Sequence, residues 1–295
     1  MKRIMALNNF TQRTLSGALY VAVVVASILV HPIAFGIVFL LVSMLAVREF
    51  HQLMQSPSRL TALAMVAAAW LFAALWVPVY KPCTEIAAPL TITLLFVYML
   101  MLGGGLLAEL WGKAENPIQN WGHLLQSQFM IALPFALMNA LYFIDKYLLL
   151  AVFVLIWVND SGAYCVGVLT AKRKNGNHKM FPRVSPKKSW EGLFGGILLA
   201  MGIGALLAYF GWFDQLADPY RHLNPYWIGV LFALFVAVFG TLGDLVESLM
   251  KRTIGVKDSG RFLPGHGGVL DRFDSILLAV PATMAFTILI LFFCL

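Results

Sequence analysis

The stretch YLLLAVFVLIWVNDSGAYCVGVLTA, residues 147–171, is apolar for long enough to cross a bilayer, yet Asn159 and Asp160 stand in its middle. About 20 predominantly apolar residues cover ~30 Å of hydrocarbon, so the run reads as a transmembrane helix. An ionised carboxylate at such depth costs about 2.5 to 3.5 kcal/mol on insertion scales, so Asp160 is expected to face a wet cavity, a cation or a basic partner. The alternative is an inward polar pair that ties helices together by hydrogen bonding, with Ser161, Gly162 and Ala163 allowing close approach.

The rest of the chain repeats the apolar pattern. Of 295 residues, 60% are hydrophobic and only 12% charged, and the mean hydropathy is +0.81. A soluble surface needs roughly a quarter of its residues charged. The composition therefore gives an all-α polytopic integral membrane protein, since lipid offers backbone groups no partners and the alternation of a barrel strand is missing. Nine spans are expected, at residues 15–30, 33–47, 60–80, 86–108, 121–144, 147–171, 192–213, 226–248 and 275–295. With the N-terminus cytoplasmic, this arrangement leaves only Lys81, Lys146 and Arg221 of the 21 Lys and Arg residues outside. Fusing the first two spans across His31 and Pro32 while keeping the large basic loops inside would expel the basic N-terminal arm, against the positive-inside rule.

The basic start is read as a retained first span, because no small-residue cleavage pattern follows it. Cys83, Cys165 and Cys294 are widely separated and suggest neither a disulfide framework nor a metal site. The net charge of +7 resides in short loops between spans, which favours anionic head groups or phosphate substrates over nucleic acid. No linker divides the chain. One membrane domain over residues 1–295 is expected, with 1–150 mainly scaffold spans and 151–295 carrying the catalytic spans and cytoplasmic loops.

Besides Asp160, two places concentrate chemistry. In KRKNGNHKMFPRVSPKKSWEG, residues 172–192, Ser185 and Pro186 suggest a helix start with Lys187 and Lys188 in its first turn. Cations there oppose the positive end of the helix dipole, an arrangement that makes sense with an anion between them. Further on, Asp244, Glu247, Ser248 and Lys251 fall at i, i+3, i+4 and i+7, a single polar stripe near the end of a span. Pairing of Asp244 with Ser248 or Glu247 with Lys251 would account for that stripe structurally. It would not account for a second acidic pair, Asp271 and Asp274, on entering the last span.

Two carboxylate-bearing helix ends joined by a glycine-rich basic loop suit a divalent cation and phosphates. Magnesium takes one or two carboxylates plus phosphate oxygens, which makes Asp244, Asp271 and Asp274 candidate ligands. Lys251, Arg252, Lys257, Arg261 and Arg272 can balance phosphate charge. Gly265, Gly267 and Gly268 allow backbone amides to approach a phosphate, and His266 could donate a hydrogen bond or move a proton. Neither a Walker pattern nor a zinc signature occurs.

The segment SLMKRTIGVKDSGRFLPGHGGVLDRFD, Ser248–Asp274, resembles the signature of the phosphatidate cytidylyltransferase (CDP-diacylglycerol synthase) family along its whole length. DSGAY at Asp160–Tyr164 and SPKKSWEG at Ser185–Gly192 are similar to two further family segments, the latter with Ser189 where Thr is frequent. The resemblance implies a helical membrane enzyme that uses CTP and Mg²⁺ to convert phosphatidic acid into CDP-diacylglycerol and pyrophosphate. It also implies a monovalent cation such as K⁺ beside the Mg²⁺, a homodimer, and a place in the bacterial inner (cytoplasmic) membrane with the active site facing the cytoplasm. By position, Asp244, Asp271 and Asp274 would organise the metals and Lys251 would contact phosphate at the reaction centre. Ser185, Lys187, Lys188 and Arg272 would hold nucleotide or lipid phosphate. Two other readings remain beside it, a different CTP-using membrane transferase such as a polyprenol kinase, and a transporter whose path is lined by the buried acids.

Overall fold

A computed structural model describes residues 2–80, 85–112, 114–172, 176–217, 224–260 and 267–293. Eight helices among the described residues are long and apolar enough to cross a membrane, and a shorter apolar helix, Thr14–Val30, precedes them. The element order is α1 (Lys2–Val30), α2 (Pro32–Leu53), α3 (Ser58–Tyr80), α4 (Ala87–Ala108), α5 (Pro117–Ser127), a π turn (Gln128–Ala132), α6 (Leu133–Ile144) and α7 (Lys146–Ala171). There follow strands β1 (Lys179–Phe181) and β2 (Ser185–Ser189), then α8 (Trp190–Tyr209), α9 (Pro225–Ile254), α10 (Leu270–Phe273) and α11 (Ile276–Phe293).

The first two apolar stretches are separate helices, for a local reason. His31 is extended (φ −163°, ψ 142°), its Nδ1 accepts from the Ile33 amide at 3.1 Å, and Pro32 occupies the first helical position. A ring that lacks an N–H costs nothing there, because that amide has no intrahelical partner. Pro134 has the opposite effect inside the fifth span. It follows the π turn that widens the helix between α5 and α6, as expected where an i→i−4 bond is lost.

The described residues form two compact units, Met1–Phe143 with Ile254–Phe273, and Ile144–Thr253 with Asp274–Leu295. In the first, aromatic rings fill the core. Phe35 stacks on Tyr142 with centroids 4.5 Å apart, and Phe273 of α10 receives Phe39, Phe135 and Tyr20 edge-on. Polar side chains tie the spans of this unit together: Gln128 Nε2 donates to the Ala64 carbonyl at 3.1 Å, and Asn139 Nδ2 to that of Phe72 at 3.4 Å. Such bonds replace the hydrophobic drive that lipid does not supply between helices.

In the second unit small residues set the packing. Gly192, Gly196, Ala200 and Gly204 recur every fourth residue on α8 and are all buried. A Cβ on Gly196 would come within 2.6 Å of the Asn159 carbonyl on α7, and one on Gly192 within 2.8 Å of the Ala163 carbonyl. This contact is the close approach that Ser161, Gly162 and Ala163 suggested. Gly204 meets Gly229 of α9 in the same way, a Cβ on Gly229 falling 2.5 Å from the Gly204 carbonyl. Gly243 brings α9 against the start of the last span, where its Cβ would lie 2.8 Å from the Asp274 carbonyl and 3.0 Å from that of Ser275. Gly204→Val is therefore expected to cost about 1 to 3 kcal/mol through overpacking, whereas Gly202→Val, with nothing within 4 Å of its Cβ position, changes little. Thermal unfolding of the two variants in detergent checks the contrast.

Candidate active site

The second unit contains a cavity of about 250 Å³ lined by Asn159, Asp160, Tyr164, Lys187, Lys188, Thr241 and Asp244, together with Met180, Ser189, Ala163, Gly192 and Leu193. Its polar groups come from two helices, α7 and α9, and from a hairpin. The expected helix start at Ser185 is not what forms. Ser185–Ser189 is strand β2, antiparallel to β1 with Lys179 opposite Ser189 and Phe181 opposite Ser185. The N-cap of α8 is Ser189, which is extended (φ −128°, ψ 155°) and accepts from the Gly192 amide at 3.2 Å. The physical reason is that Ser189 has Trp190, Glu191 and Gly192 behind it, an acidic first turn that suits the helix dipole, whereas a start at Ser185 would have put two lysines there.

The hairpin is fixed at both ends. Asn177 Nδ2 donates to the Gly167 carbonyl of α7 at 3.0 Å, and Arg252 Nε of α9 donates to the Val184 carbonyl in the turn at 3.3 Å. At its far end the His178 Nδ1 lies 2.6 Å from Glu191 Oε1. Held in this way, β2 carries Lys188 to the polar stripe of α9. Its Nζ is 2.7 Å from Asp244 Oδ2 and 3.4 Å from the Thr241 carbonyl.

Around that ion pair lie more acids. Asp160 interacts electrostatically with both Asp244 and Lys188, and Asp274 with Asp160, Asp244 and Glu247. Asp160 therefore faces a cavity, a basic partner and other acids, as its depth in the span requires. Asp244 also accepts from the Ser248 hydroxyl at 3.1 Å, and Glu247 pairs with Lys251 one turn later, both of them buried. The pairings foreseen for the stripe both form, and Lys188 is added to them. Asn159 Nδ2 donates to the Thr241 hydroxyl at 3.2 Å and so joins α7 to α9 within the cavity wall. Among the described residues, no three or more of His, Cys, Asp and Glu are arranged as a ready metal-ligand set.

Residues Ile254–Phe273 of the signature segment belong to the first unit, where those that are described have their own arrangement. Asp271 Oδ2 accepts from the amides of Ser259 at 2.8 Å and Gly268 at 2.7 Å. The Gly268 amide, expected to approach a phosphate, here points to a carboxylate of the chain itself. Gly267, at φ +82°, is glycine because a Cβ would strike Asp271. Lys257 is exposed, and Arg272 Nε finds no hydrogen-bond partner among the described residues. His266 and Arg261 lie outside the described residues.

One acid escaped the sequence reading. Glu49, near the end of α2 and buried, accepts from the Ser259 hydroxyl at 3.1 Å, the Val269 amide at 2.9 Å and the Leu270 amide at 2.9 Å. The first half of the chain was taken as scaffold, yet it supplies this anchor. A signal was available in a carboxylate within the apolar run of α2, ahead of the loop boundary at Met54.

Eight apolar helices of spanning length, with a cavity in the second unit lined by lysines and carboxylates, define, among the described residues, an all-α polytopic integral membrane protein. The sequence profile of the cytidylyltransferase family matches residues 11–290, and the chain belongs to that family. It is 48% identical over 141 residues to the phosphatidate cytidylyltransferase of Bacillus subtilis strain 168, a match covering 47% of each chain. The phosphatidate cytidylyltransferase of Haemophilus influenzae is 43% identical over 135 residues, covering 46% of this chain and 43% of that one. The chain spans about half the length of the curated relatives it matches.

The corrected cap gives a direct check. Ser189→Ala is expected to lose about 1 kcal/mol of stability, while Ser185→Ala leaves the α8 cap intact; denaturant or thermal unfolding in detergent distinguishes the two.

Proposed function

We propose that this chain is a CTP:phosphatidate cytidylyltransferase, a nucleotidyltransferase of phospholipid biosynthesis that forms CDP-diacylglycerol and pyrophosphate. The observation that carries the reading is Lys188 set against Asp244, beside Asp160, in a cavity among membrane helices, with Asp274 interacting electrostatically with both aspartates. The names of the relatives support it, as does the match of the signature segment.

The acids outnumber the cations in this cluster among the described residues, with Asp160, Asp244, Glu247 and Asp274 facing Lys188 and Lys251. Hard oxygen donors in excess fit Mg²⁺, and a monovalent cation such as K⁺ beside it. Asp244 and Asp274 would hold the divalent ion, with Asp160 close by. When bound, it would neutralise charge on the triphosphate. Asp271, also expected among the ligands, has a definite role in ordering the signature loop.

In the reaction a phosphatidate oxygen attacks the α-phosphorus of CTP in line, forming one P–O bond as the bond to the β-phosphate oxygen breaks. The nucleophile is anionic near neutral pH, so alignment and charge neutralisation can carry catalysis without a strong general base. Lys187 and Lys188, consecutive on β2 and both lining the cavity, would hold phosphate groups, and Lys188 would exchange Asp244 for an incoming phosphate. Lys251 is buried against Glu247 and would fix the electrostatics of the α9 end. Arg252, which holds the β1–β2 turn from α9, would add positive potential for the second anionic substrate. The reading places the active site at the cytoplasmic face of the bacterial inner membrane and includes a homodimer.

Purified protein in detergent, given phosphatidate, CTP and Mg²⁺, should release pyrophosphate and form CDP-diacylglycerol in equal amounts. Release of CDP instead would mark a kinase, and no reaction would refute the assignment. Asp244→Asn should lose at least about 100-fold in kcat, the order of magnitude associated with removing one preorganised charge. Lys187→Ala should raise KM for CTP or lipid, and unchanged kinetics would return that lysine to a lipid-facing role.

A further inference from the structure

Glu49 occupies a nest of donors formed by the signature segment. Its two carboxylate oxygens receive a hydroxyl and two amides, all from the signature segment: Oε1 takes Val269 N, and Oε2 takes Leu270 N and the Ser259 hydroxyl. Ser259 in turn accepts from the Asp271 amide at 3.3 Å and donates its own amide to Asp271 at 2.8 Å. Two carboxylates 222 positions apart in the chain are thereby joined through one serine.

The glycines conform to this contact. A Cβ on Gly260 would lie 2.6 Å from Glu49 Oε1, and one on Gly268 would strike Glu49 Oε2 and approach Gly260 N to 2.7 Å. The two flanks of the loop, Ser259–Gly260 and Gly268–Leu270, therefore run against each other with the Glu49 carboxylate seated on both. Any side chain at either glycine would push them apart.

We propose that Glu49 is a positioning residue that closes the base of the signature loop and, through Ser259, sets the place of Asp271 and Arg272. It acts from α2, outside the segment to which the chemistry was assigned. The chemistry of the contact makes glutamine a poor substitute. All the groups that meet Glu49 here donate, so one end of a carboxamide would present N–H groups to a donor whichever way it turned. The kinetic consequence rests on the cytidylyltransferase reading; the structural consequence does not.

The test uses the full chain in detergent, as wild type, Glu49→Gln, Ser259→Ala and the double variant. Amide hydrogen exchange, followed by mass spectrometry, should accelerate at least tenfold in peptides covering 257–260 and 267–272 in both single variants, with peptides of α7 unchanged. In the pyrophosphate assay, kcat should fall at least tenfold for Glu49→Gln, with a much smaller change in KM for CTP. The double variant should be no slower than the worse single one, because the two residues act on the same contact. Unchanged exchange, or losses that multiply in the double variant, would overturn the proposal. Should Glu49→Gln fail to fold, Ser259→Ala alone decides through the exchange of 267–272. A wild-type chain that releases no pyrophosphate would refute the assigned activity, and the exchange comparison would still decide for or against Glu49.

Discussion

Carboxylates in helices that cross a membrane need compensation on the spot, and the ion pair between Lys188 and Asp244 supplies it here. Its geometry depends on a short hairpin, the one regular departure from helix among the described residues. Breaking such a partly buried pair leaves an uncompensated charge, whose cost exceeds what the intact pair contributes. The hairpin, the Ser189 cap and the small-residue face of α8 are thus parts of one arrangement. Gly192 and Gly196 let α8 lie close on α7, Ser189 starts α8 at the right height, and β2 then delivers Lys188 to α9 beside Asp160.

The same logic is repeated in the first unit with different donors. Glu49 and Asp271 accept from backbone amides and Ser259, and glycine at 260, 267 and 268 lets the chain approach them. A glycine-rich stretch beside basic residues suggests phosphate contact, because backbone amides are good anion donors. Here the amides of Ser259, Gly268, Val269 and Leu270 serve carboxylates of the chain itself.

Much of this was legible in the residues. The helices were set by apolar run length, the break at His31 by Pro32 and the positive-inside count, and the α9 stripe by spacings of three and four. Asp160 was legible because a carboxylate in a 26-residue apolar helix demands a partner. The partner itself was not, since Lys188 reaches Asp244 only through a hairpin whose pairing, Lys179 with Ser189, is nonlocal and shorter than any periodicity can reveal. Ser185 and Ser189 are both adequate capping residues, and what separates them is the charge of the turn that follows together with a nonlocal strand pairing. Glu49 is legible only as an acid within the apolar run of α2, and its partners lie more than 200 residues away, so nothing local shows what it holds.

The central claim is that Asp244 and Asp274 of the second unit gather around a cation next to Lys188. Electron paramagnetic resonance of Mn²⁺ titrated into the purified protein with CTP addresses this without requiring turnover. The account predicts a tightly held Mn²⁺ in the wild type, with affinity reduced at least tenfold in Asp244→Asn and in Asp274→Asn but retained in Glu115→Gln. Mn²⁺ binding that is undiminished in both aspartate variants would contradict it.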